Sequence, residues 1–241
     1  QAFNVLQQRD IDAMVAGGTE APLLSGVFEE LKPKGLFQEN DGRLNSASCP
    51  FDRERNGFVL GEGAGMVVLE TLSSAEKRGA DIYGEFLGFG TSYHNSVCGN
   101  QKNSSFDSKV LCTEQALEFA SIDSSKVDYV NASGISGIKE DREESEVIKS
   151  VFGREAQRIP VSSTKGSLGL SLGATGAIDA IFSLLCLRKN ILPQTNKLEN
   201  VDLVCNSLFH LKKPVEKSAS IILSNNFSYC GNNVSLVFKR M

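Results

Sequence analysis

Histidine is scarce in this chain, whose 241 residues include only His94 and His210. A site that needs two imidazoles therefore has few candidates. Six cysteines are present, but no CxxC pair and no metal-ligand spacing occurs, so the sequence indicates neither a zinc site nor a redox motif. Cys112, Cys186 and Cys205 lie among apolar neighbours and are predicted to be small core residues. A reducing, cytoplasmic compartment is the expectation.

Charge and hydropathy exclude two further classes of protein. The net charge of −4 and the lack of a basic cluster argue against a nucleic-acid surface. No apolar run approaches the ~20 residues of a membrane span. The first segment is polar and amphipathic, which is not typical of a signal peptide. Residues 1–8 instead indicate the end of a helix, so we expect this chain to be the later part of a longer one.

Alternating strand and helix patterns predict an α/β architecture with helices packed on a sheet. Gly17-Gly18 is predicted to end the first strand, and residues 20–56 are predicted to be irregular. A polar loop is expected over residues 92–108. The predicted strands are residues 11–16, 66–70, 83–90, 127–130, 159–161, 219–223 and 234–238. The predicted helices after the first are residues 73–78, about 110–121, 141–152 and 172–187.

A glycine-rich run occupies residues 61–65. It precedes a predicted strand instead of joining a strand to a helix, so it does not fit a phosphate-binding turn. Its glycines are predicted to permit close backbone packing or positive φ.

Together with the residues that precede it, the glycine-rich run forms a longer pattern that is typical of one protein family. Residues 50–65 (PFDRERNGFVLGEGAG) resemble a stretch of the β-ketoacyl synthases of the elongating type. Residues 15–21 (VAGGTEA) and 224–231 (SNNFSYCG) also resemble segments of this family. Two further segments resemble its histidine motifs: residues 131–134 (NASG) and 162–176 (SSTKGSLGLSLGATG). These segments occur in the family's order from one end of the chain to the other.

The resemblance implies a thiolase-like fold, in which two similar α/β halves stack five-stranded mixed sheets between helices. Residues 1–82 would end the first half and residues 83–241 would form the second. The family's nucleophilic cysteine would lie upstream of Gln1, in an amino-terminal part that this chain lacks. The resemblance implies no cofactor and no metal.

Both catalytic histidine positions of the family are replaced. Ser133 stands at the first and Leu170 at the second, five residues after Lys165. In the family, the two imidazoles stabilise the enolate oxygen formed by malonyl decarboxylation. Ser133 retains one hydroxyl donor on a shorter side chain, whereas Leu170 has none and would line the pocket with hydrocarbon.

Several polar positions of the family are retained. Lys165 matches the motif lysine that supports the site electrostatically, although it could equally pair with a carboxylate or cap a loop. Asp141, Glu144 and Asp179 match acids of the family's polar network, and here we favour a purely architectural role. His94 and His210 are predicted to have no catalytic role.

The carboxyl-terminal loop also departs from the family, which usually carries glycine-phenylalanine-glycine-glycine. Here it reads Ser228-Tyr229-Cys230-Gly231. Fewer glycines predict a stiffer loop, Tyr229 is a candidate gate or pocket plug, and Cys230 is predicted to be inert.

These features favour a non-catalytic subunit of the chain-length-factor type. It would pair with an active ketosynthase as a heterodimer, help to bound the acyl tunnel, and meet acyl carrier protein through that partner. The alternative is a β-ketoacyl synthase or acyltransferase with an atypical site that uses the upstream cysteine. A structural or binding homologue outside lipid synthesis stays open.

Overall fold

The computed structural model describes residues 1–8, 11–32, 47–94 and 105–241. The helices in these ranges are α1 (Ala2–Gln8), α2 (Ser25–Leu31), α3 (Leu72–Lys77), α4 (Ser105–Phe119), α5 (Ile138–Phe152), α6 (Lys165–Leu168) and α7 (Thr175–Lys189). The strands are β1 (Ala13–Glu20), β2 (Gly63–Glu70), β3 (Glu85–Tyr93), β4 (Tyr129–Asn131), β5 (Pro160–Ser162), β6 (Ile191–Leu192), β7 (Phe209–His210), β8 (Val215–Glu216), β9 (Ile221–Phe227) and β10 (Asn232–Lys239).

The main sheet of the described ranges is mixed and has the order β3-β10-β9-β4-β5-β7. Strands β3, β10 and β9 pair antiparallel, whereas β9, β4, β5 and β7 pair parallel. Parallel neighbours need a crossover connection, and α5 supplies it between β4 and β5. The carboxyl ends of β4, β5 and β9 therefore meet at one edge of the sheet.

Helices cover both faces of this sheet. Side chains alternate along each strand, so Val130 and Leu223 face α4 and α5 in one hydrophobic cluster. Their neighbours Tyr129 and Ile222 face α7 in another cluster. The other side of α7 packs against the antiparallel ribbon of β1 and β2, so this helix lies between two β layers.

The glycines of the ribbon lie inside its strands, which corrects two predictions. Gly17-Gly18 does not end β1, and β2 begins within the glycine-rich run, at Gly63. A Cβ on Gly18 would lie 2.5 Å from the carbonyl oxygen of Gly173, and one on Gly65 would lie 3.1 Å from main-chain atoms of α7. These glycines therefore allow close approach to the central helix and its preceding turn, as expected of the run.

Other differences concern the boundaries of elements. Helix α2 lies in the stretch predicted to be irregular, of which residues 33–46 are outside the described ranges. Residues 95–104 of the predicted polar loop are also outside them, and α4 begins at Ser105. Helix α5 begins three residues earlier than predicted, and α7 begins at Thr175 after a short 3-10 turn. The two-residue strands β6, β7 and β8 were not predicted, because so short a segment has no periodicity.

The predicted burial of three cysteines is confirmed. Cys112, Cys186 and Cys205 are all buried, and burial raises the pKa of the Cys186 thiol to about 12. Cys49 is buried as well, whereas Cys230 is exposed. No helix within the described ranges is long and apolar enough to cross a membrane.

His210 makes the fold sensitive to acid. Burial lowers its pKa from 6.5 to about 4, and the ring packs on Phe51 at 4.7 Å. Between these pH values the unfolded chain binds a proton that the folded chain excludes, so stability falls as the pH falls through this window. We expect a loss of roughly 2 kcal/mol between pH 8 and pH 5 from this group.

His210→Phe should remove that part of the loss, as measured by urea unfolding across this pH range. The comparison is between the two pH profiles, because the variant also loses the hydrogen bond from His210 to the carbonyl of Cys205 at every pH. Parallel profiles for wild type and variant would contradict the assignment.

Candidate functional site

The four candidate residues lie near the carboxyl ends of the parallel strands. Ser133 follows β4, Lys165 begins α6 after β5, and Leu170 follows α6. Tyr229 lies in the turn that joins β9 to β10. The structure brings Leu170 and Tyr229 into one apolar cluster, whereas Lys165 lies in a polar network and Ser133 contacts β9.

Ser133 uses its hydroxyl to hold the end of β9. The Oγ atom accepts a hydrogen bond from the main-chain N–H of Phe227 at 3.2 Å and lies 3.4 Å from the carbonyl oxygen of the same residue, to which it donates. The side chain is buried. The hydroxyl that the sequence offers as a spare donor is therefore engaged within the fold.

Glu144 of α5 clamps the main chain around Ser133. Its two carboxylate oxygens accept the N–H groups of Ser133 at 2.8 Å and Gly134 at 2.7 Å. Burial raises the pKa of this carboxyl, while the two N–H groups and the charge of Lys165 act in the opposite direction. Glu144 therefore shapes the loop after β4, in line with the architectural role expected from the sequence.

Asp141, one turn earlier on α5, joins two loops. Its carboxylate accepts the N–H of Phe51 at 2.7 Å and that of Ser136 at 3.0 Å. Burial raises its pKa to about 7, although the Phe51 N–H and the neighbouring Arg55 lower it. Residues of the PFDRERNG segment are thereby fixed against the loop that follows Ser133.

Arg55 is a functional neighbour that sequence reasoning missed. Its buried guanidinium lies 3.7 Å from Asp141 and 2.5 Å from Asp202, and it donates to the carbonyls of Asp52, Gly137 and Ile138. The fixed fork of an arginine suits such a set of acceptors. The only signal in the sequence was its position inside a motif that was recognised as a whole.

Lys165 forms a fully buried ion pair. Its Nζ atom lies 2.5 Å from Asp179 Oδ2 and 3.3 Å from the carbonyl oxygen of Ala132. The other carboxylate oxygen of Asp179 accepts a hydrogen bond from Thr164 at 2.8 Å, and its main-chain carbonyl accepts one from Asn131. The pair ties α6, α7 and the end of β4 together, and Lys165 thus pairs with a carboxylate, as one of the alternatives from the sequence has it.

Leu170 occupies a filled hydrophobic cluster and is 7% exposed. Its main chain is fixed by two hydrogen bonds, from its own N–H to Val59 O and from Gly61 N–H to its carbonyl. Gly169 adopts φ +72°, and a Cβ there would meet the carbonyl oxygen of Val59 at 2.8 Å. The cluster comprises Leu31, Phe58, Leu60, Ile135 and Leu170, with Val27, Leu172 and Tyr229 at its edge.

Tyr229 lies half-buried at the edge of this cluster. Its ring stacks on Phe58 with 6.4 Å between centroids. Burial, Cys230 and the charge of Glu30 raise its pKa to about 12, so the phenol is neutral at physiological pH. Within the turn, Ser228 accepts the N–H of Cys230 on its hydroxyl and that of Gly231 on its carbonyl.

Neither histidine takes the place of a missing imidazole. His94 pairs through its main chain with Gly231, and its ring faces Asn233 at 3.5 Å. Burial and the charge of Lys109 lower its pKa. His210 lies in β7, where its Nε2 atom is 3.0 Å from the carbonyl oxygen of Cys205. Sequence reasoning placed His94 in a polar loop and did not foresee its contact with the Tyr229 turn.

The described side chains offer neither a metal centre nor an anion hole at the two substituted positions. No group of three or more His, Cys, Asp or Glu residues in the described ranges is placed to hold a metal ion. At the substituted positions stand a hydroxyl bound to Phe227 and an aliphatic side chain. This part of the site offers packing and a rigid main chain, with no side-chain donor aimed at a ligand from Ser133 or Leu170.

Breaking the buried ion pair should be far more costly than breaking an exposed one. Lys165→Met leaves the Asp179 carboxylate buried without its cation, and we expect a loss of about 3–5 kcal/mol in the free energy of unfolding. Adding Asp179→Asn should restore part of it, because residue 179 then carries no charge that has lost its partner. Urea unfolding of the single and double variants measures both effects.

Lys239→Met is the matched control, because Lys239 pairs with Glu85 on the surface at 3.2 Å. Its expected cost is below about 1 kcal/mol. Similar losses for Lys165→Met and Lys239→Met would show that the buried pair does not hold the loop.

Comparison with known proteins agrees with this geometry. Residues 1–75 match the family described as "Beta-ketoacyl synthase, N-terminal domain", and residues 83–199 match "Beta-ketoacyl synthase, C-terminal domain". The 3-oxoacyl-[acyl-carrier-protein] synthase 2 of Coxiella burnetii is 39% identical over 246 residues, which cover 100% of this chain and 58% of that protein. The chain thus spans less than two thirds of the length of this curated relative.

Two solved structures share the fold. One is a complex of a type II PKS acyl-carrier protein with its ketosynthase bound to the hexaketide (TM-score 0.91, 29% identity, covering 100% of this chain and 59% of the other). The second is the ishigamide ketosynthase/chain length factor (TM-score 0.87, 27% identity, covering 99% and 56%). The chain has a thiolase-like fold and belongs to the β-ketoacyl synthase family.

Proposed function

We propose that this protein is a non-catalytic, ketosynthase-like subunit of the chain-length-factor type. It pairs with an active β-ketoacyl synthase in type II fatty-acid, polyketide or polyene biosynthesis and helps to shape the acyl tunnel. The observation that supports the proposal is that neither substituted position offers a free hydrogen-bond donor to a ligand. The Ser133 hydroxyl is bound to Phe227, and Leu170 is packed among hydrocarbon side chains.

Condensation requires hydrogen-bond donors at the positions that Ser133 and Leu170 occupy. Malonyl decarboxylation forms an enolate whose oxygen must be stabilised by donors already aimed at it. Removal of one such donor typically lowers the rate by ~10²–10³. Ser133 and Leu170 leave neither donor in place, so independent decarboxylative condensation would be lost almost completely.

Retention of the surrounding network is consistent with a role in assembly. The Lys165–Asp179 pair and the carboxylates of Asp141 and Glu144 fix the same loops whether or not a reaction occurs there. A subunit that must present a ketosynthase-shaped surface to a partner needs this scaffold but not the imidazoles. Similarity to the ishigamide ketosynthase/chain length factor supports such a partner.

The remaining parts of the proposal follow from this pairing. Residues 1–82 end a first α/β half and residues 83–241 form the second. The partners are the catalytic ketosynthase and, through it, acyl carrier protein, and the acyl chain lies in a tunnel at their shared interface. The assembly works in the cytoplasm.

The decisive experiment is the native mass of the intact assembly from its natural source, with every component identified by its peptides. We expect a one-to-one complex with a synthase that carries a cysteine and two histidines. A homodimer without such a partner would contradict the proposal. It would favour an acyltransferase that uses an upstream cysteine, because acyl transfer needs no stabilised enolate.

Restoring the imidazoles should not by itself restore condensation if the upstream nucleophile is also absent, because no residue would then hold the acyl group. In the full-length protein without its partner, Ser133→His with Leu170→His should leave malonyl condensation at background. Leu170→His should also destabilise the fold by about 1–3 kcal/mol, because the imidazole replaces hydrocarbon in a filled cluster. Product formation is followed by mass spectrometry, and stability by urea unfolding.

Leu170→Met is the matched control for this variant, because it conserves volume and polarity and should cost less than about 1.5 kcal/mol. Appreciable product from the double-histidine variant would show that only the imidazoles had been lost, and would place the protein among the enzymes.

A further inference from the structure

The turn between β9 and β10, residues 228–231, follows Phe227, which Ser133 binds, and packs through Tyr229 on the cluster that contains Leu170. Its own hydrogen bonds make it compact: Ser228 N–H donates to Asn232 O at 2.8 Å, and Gly231 N–H donates to Ser228 O at 3.0 Å. Gly231 adopts φ +94°, and a Cβ there would overlap the carbonyl oxygen of His94. The turn therefore packs against His94, which follows β3, and this contact does not involve Ser133 or Leu170.

Ser133 holds the turn from the sheet side. The parallel ladder of β4 and β9 ends at the pair Asn131↔Ser224, but β9 continues for three more residues to Phe227. The Ser133 hydroxyl contacts both the N–H and the carbonyl of Phe227, so a side chain extends the attachment where the main chain of β4 has ended. Each such buried hydrogen bond contributes about 1 kcal/mol.

Leu170 belongs to the apolar cluster against which Tyr229 of the turn packs. The Tyr229 ring also stacks on Phe58, another member of that cluster. Leu170 cannot easily withdraw, because its main chain is hydrogen-bonded to Val59 and Gly61. Movement of Tyr229 away from the cluster would therefore expose apolar surface of side chains that are now buried.

We propose that Ser133 and Leu170 together form a lock that keeps the Tyr229 turn closed over the apolar cluster. The two residues come from different loops and hold Phe227 and Tyr229, which are two positions apart in the chain. The serine and the leucine thus do more than replace two imidazoles, because they also hold the turn in one conformation over the cluster. An apolar ligand is excluded from the cluster by an internal contact of this chain, independently of the partner that the proposed function requires.

Hydrogen exchange of the full-length protein, followed by mass spectrometry, tests the lock. Leu170→Ala and Ser133→Ala should each speed exchange of the amides of residues 227–231 by about tenfold or more. Leu187→Ala is the control for the first variant, because Leu187 is also a buried leucine but lies in the cluster around α7. Ser145→Ala is the control for the second, because the buried Ser145 hydroxyl donates to Asp141 O at 2.8 Å on α5.

Both controls should leave exchange in residues 227–231 close to that of wild type. If Leu170→Ala does not fold, Leu170→Val makes a smaller cavity and should show the same local effect at lower amplitude. Exchange in residues 227–231 within about twofold of the matched control, for either lock variant, would overturn the proposal. Fast exchange of the turn in the wild-type protein would also overturn it.

Discussion

The buried pair of Lys165 and Asp179 is the interaction on which the rest of the site depends. Both side chains are about 1% exposed, so their charges are compensated almost entirely by each other and by polar groups of the protein. The pair joins α6 to α7, and its further partners are Thr164, which precedes α6, and Asn131 and Ala132 at the end of β4. Because an uncompensated charge there would be very costly, these three elements are held in one arrangement. Leu170, five residues after Lys165, is placed by that arrangement.

The carboxylates of α5 satisfy buried main-chain groups, just as Lys165 and Asp179 satisfy each other. Glu144 and Asp141 each accept two buried N–H groups, which would otherwise lie in the interior without partners. Removal of either acid would leave two unsatisfied donors, at about 1–3 kcal/mol each. The acids are therefore required by the loops they hold, and no reaction needs to be invoked to explain their presence.

The sequence predicts the fold well where its patterns are local. The apolar residues of β9 and β10 place those two strands to within a few residues. Gly17-Gly18 was misjudged as the end of a strand, because the main chain that each glycine approaches, Gly65 for Gly17 and Gly173 for Gly18, is distant in sequence. The role of Arg55 was also hidden, since its burial and its four hydrogen-bond acceptors cannot be read from a charged residue in a polar segment. Motif order identified Ser133 and Leu170, but only the structure gave their contacts.

The contrast between lost and retained residues has a physical cause. The retained groups, Lys165, Glu144 and their partners, satisfy buried charges or main-chain donors, so their loss would unfold the loops. At the two substituted positions, by contrast, the present side chains make contacts within the fold: a hydroxyl that binds Phe227 and a leucine that belongs to an apolar cluster. Packing and hydrogen bonding stabilise this arrangement directly, whereas imidazoles aimed at a ligand would have to stay partly unpaired until it arrived. A chain relieved of catalysis is therefore expected to change first at such ligand-facing positions and last in the network behind them.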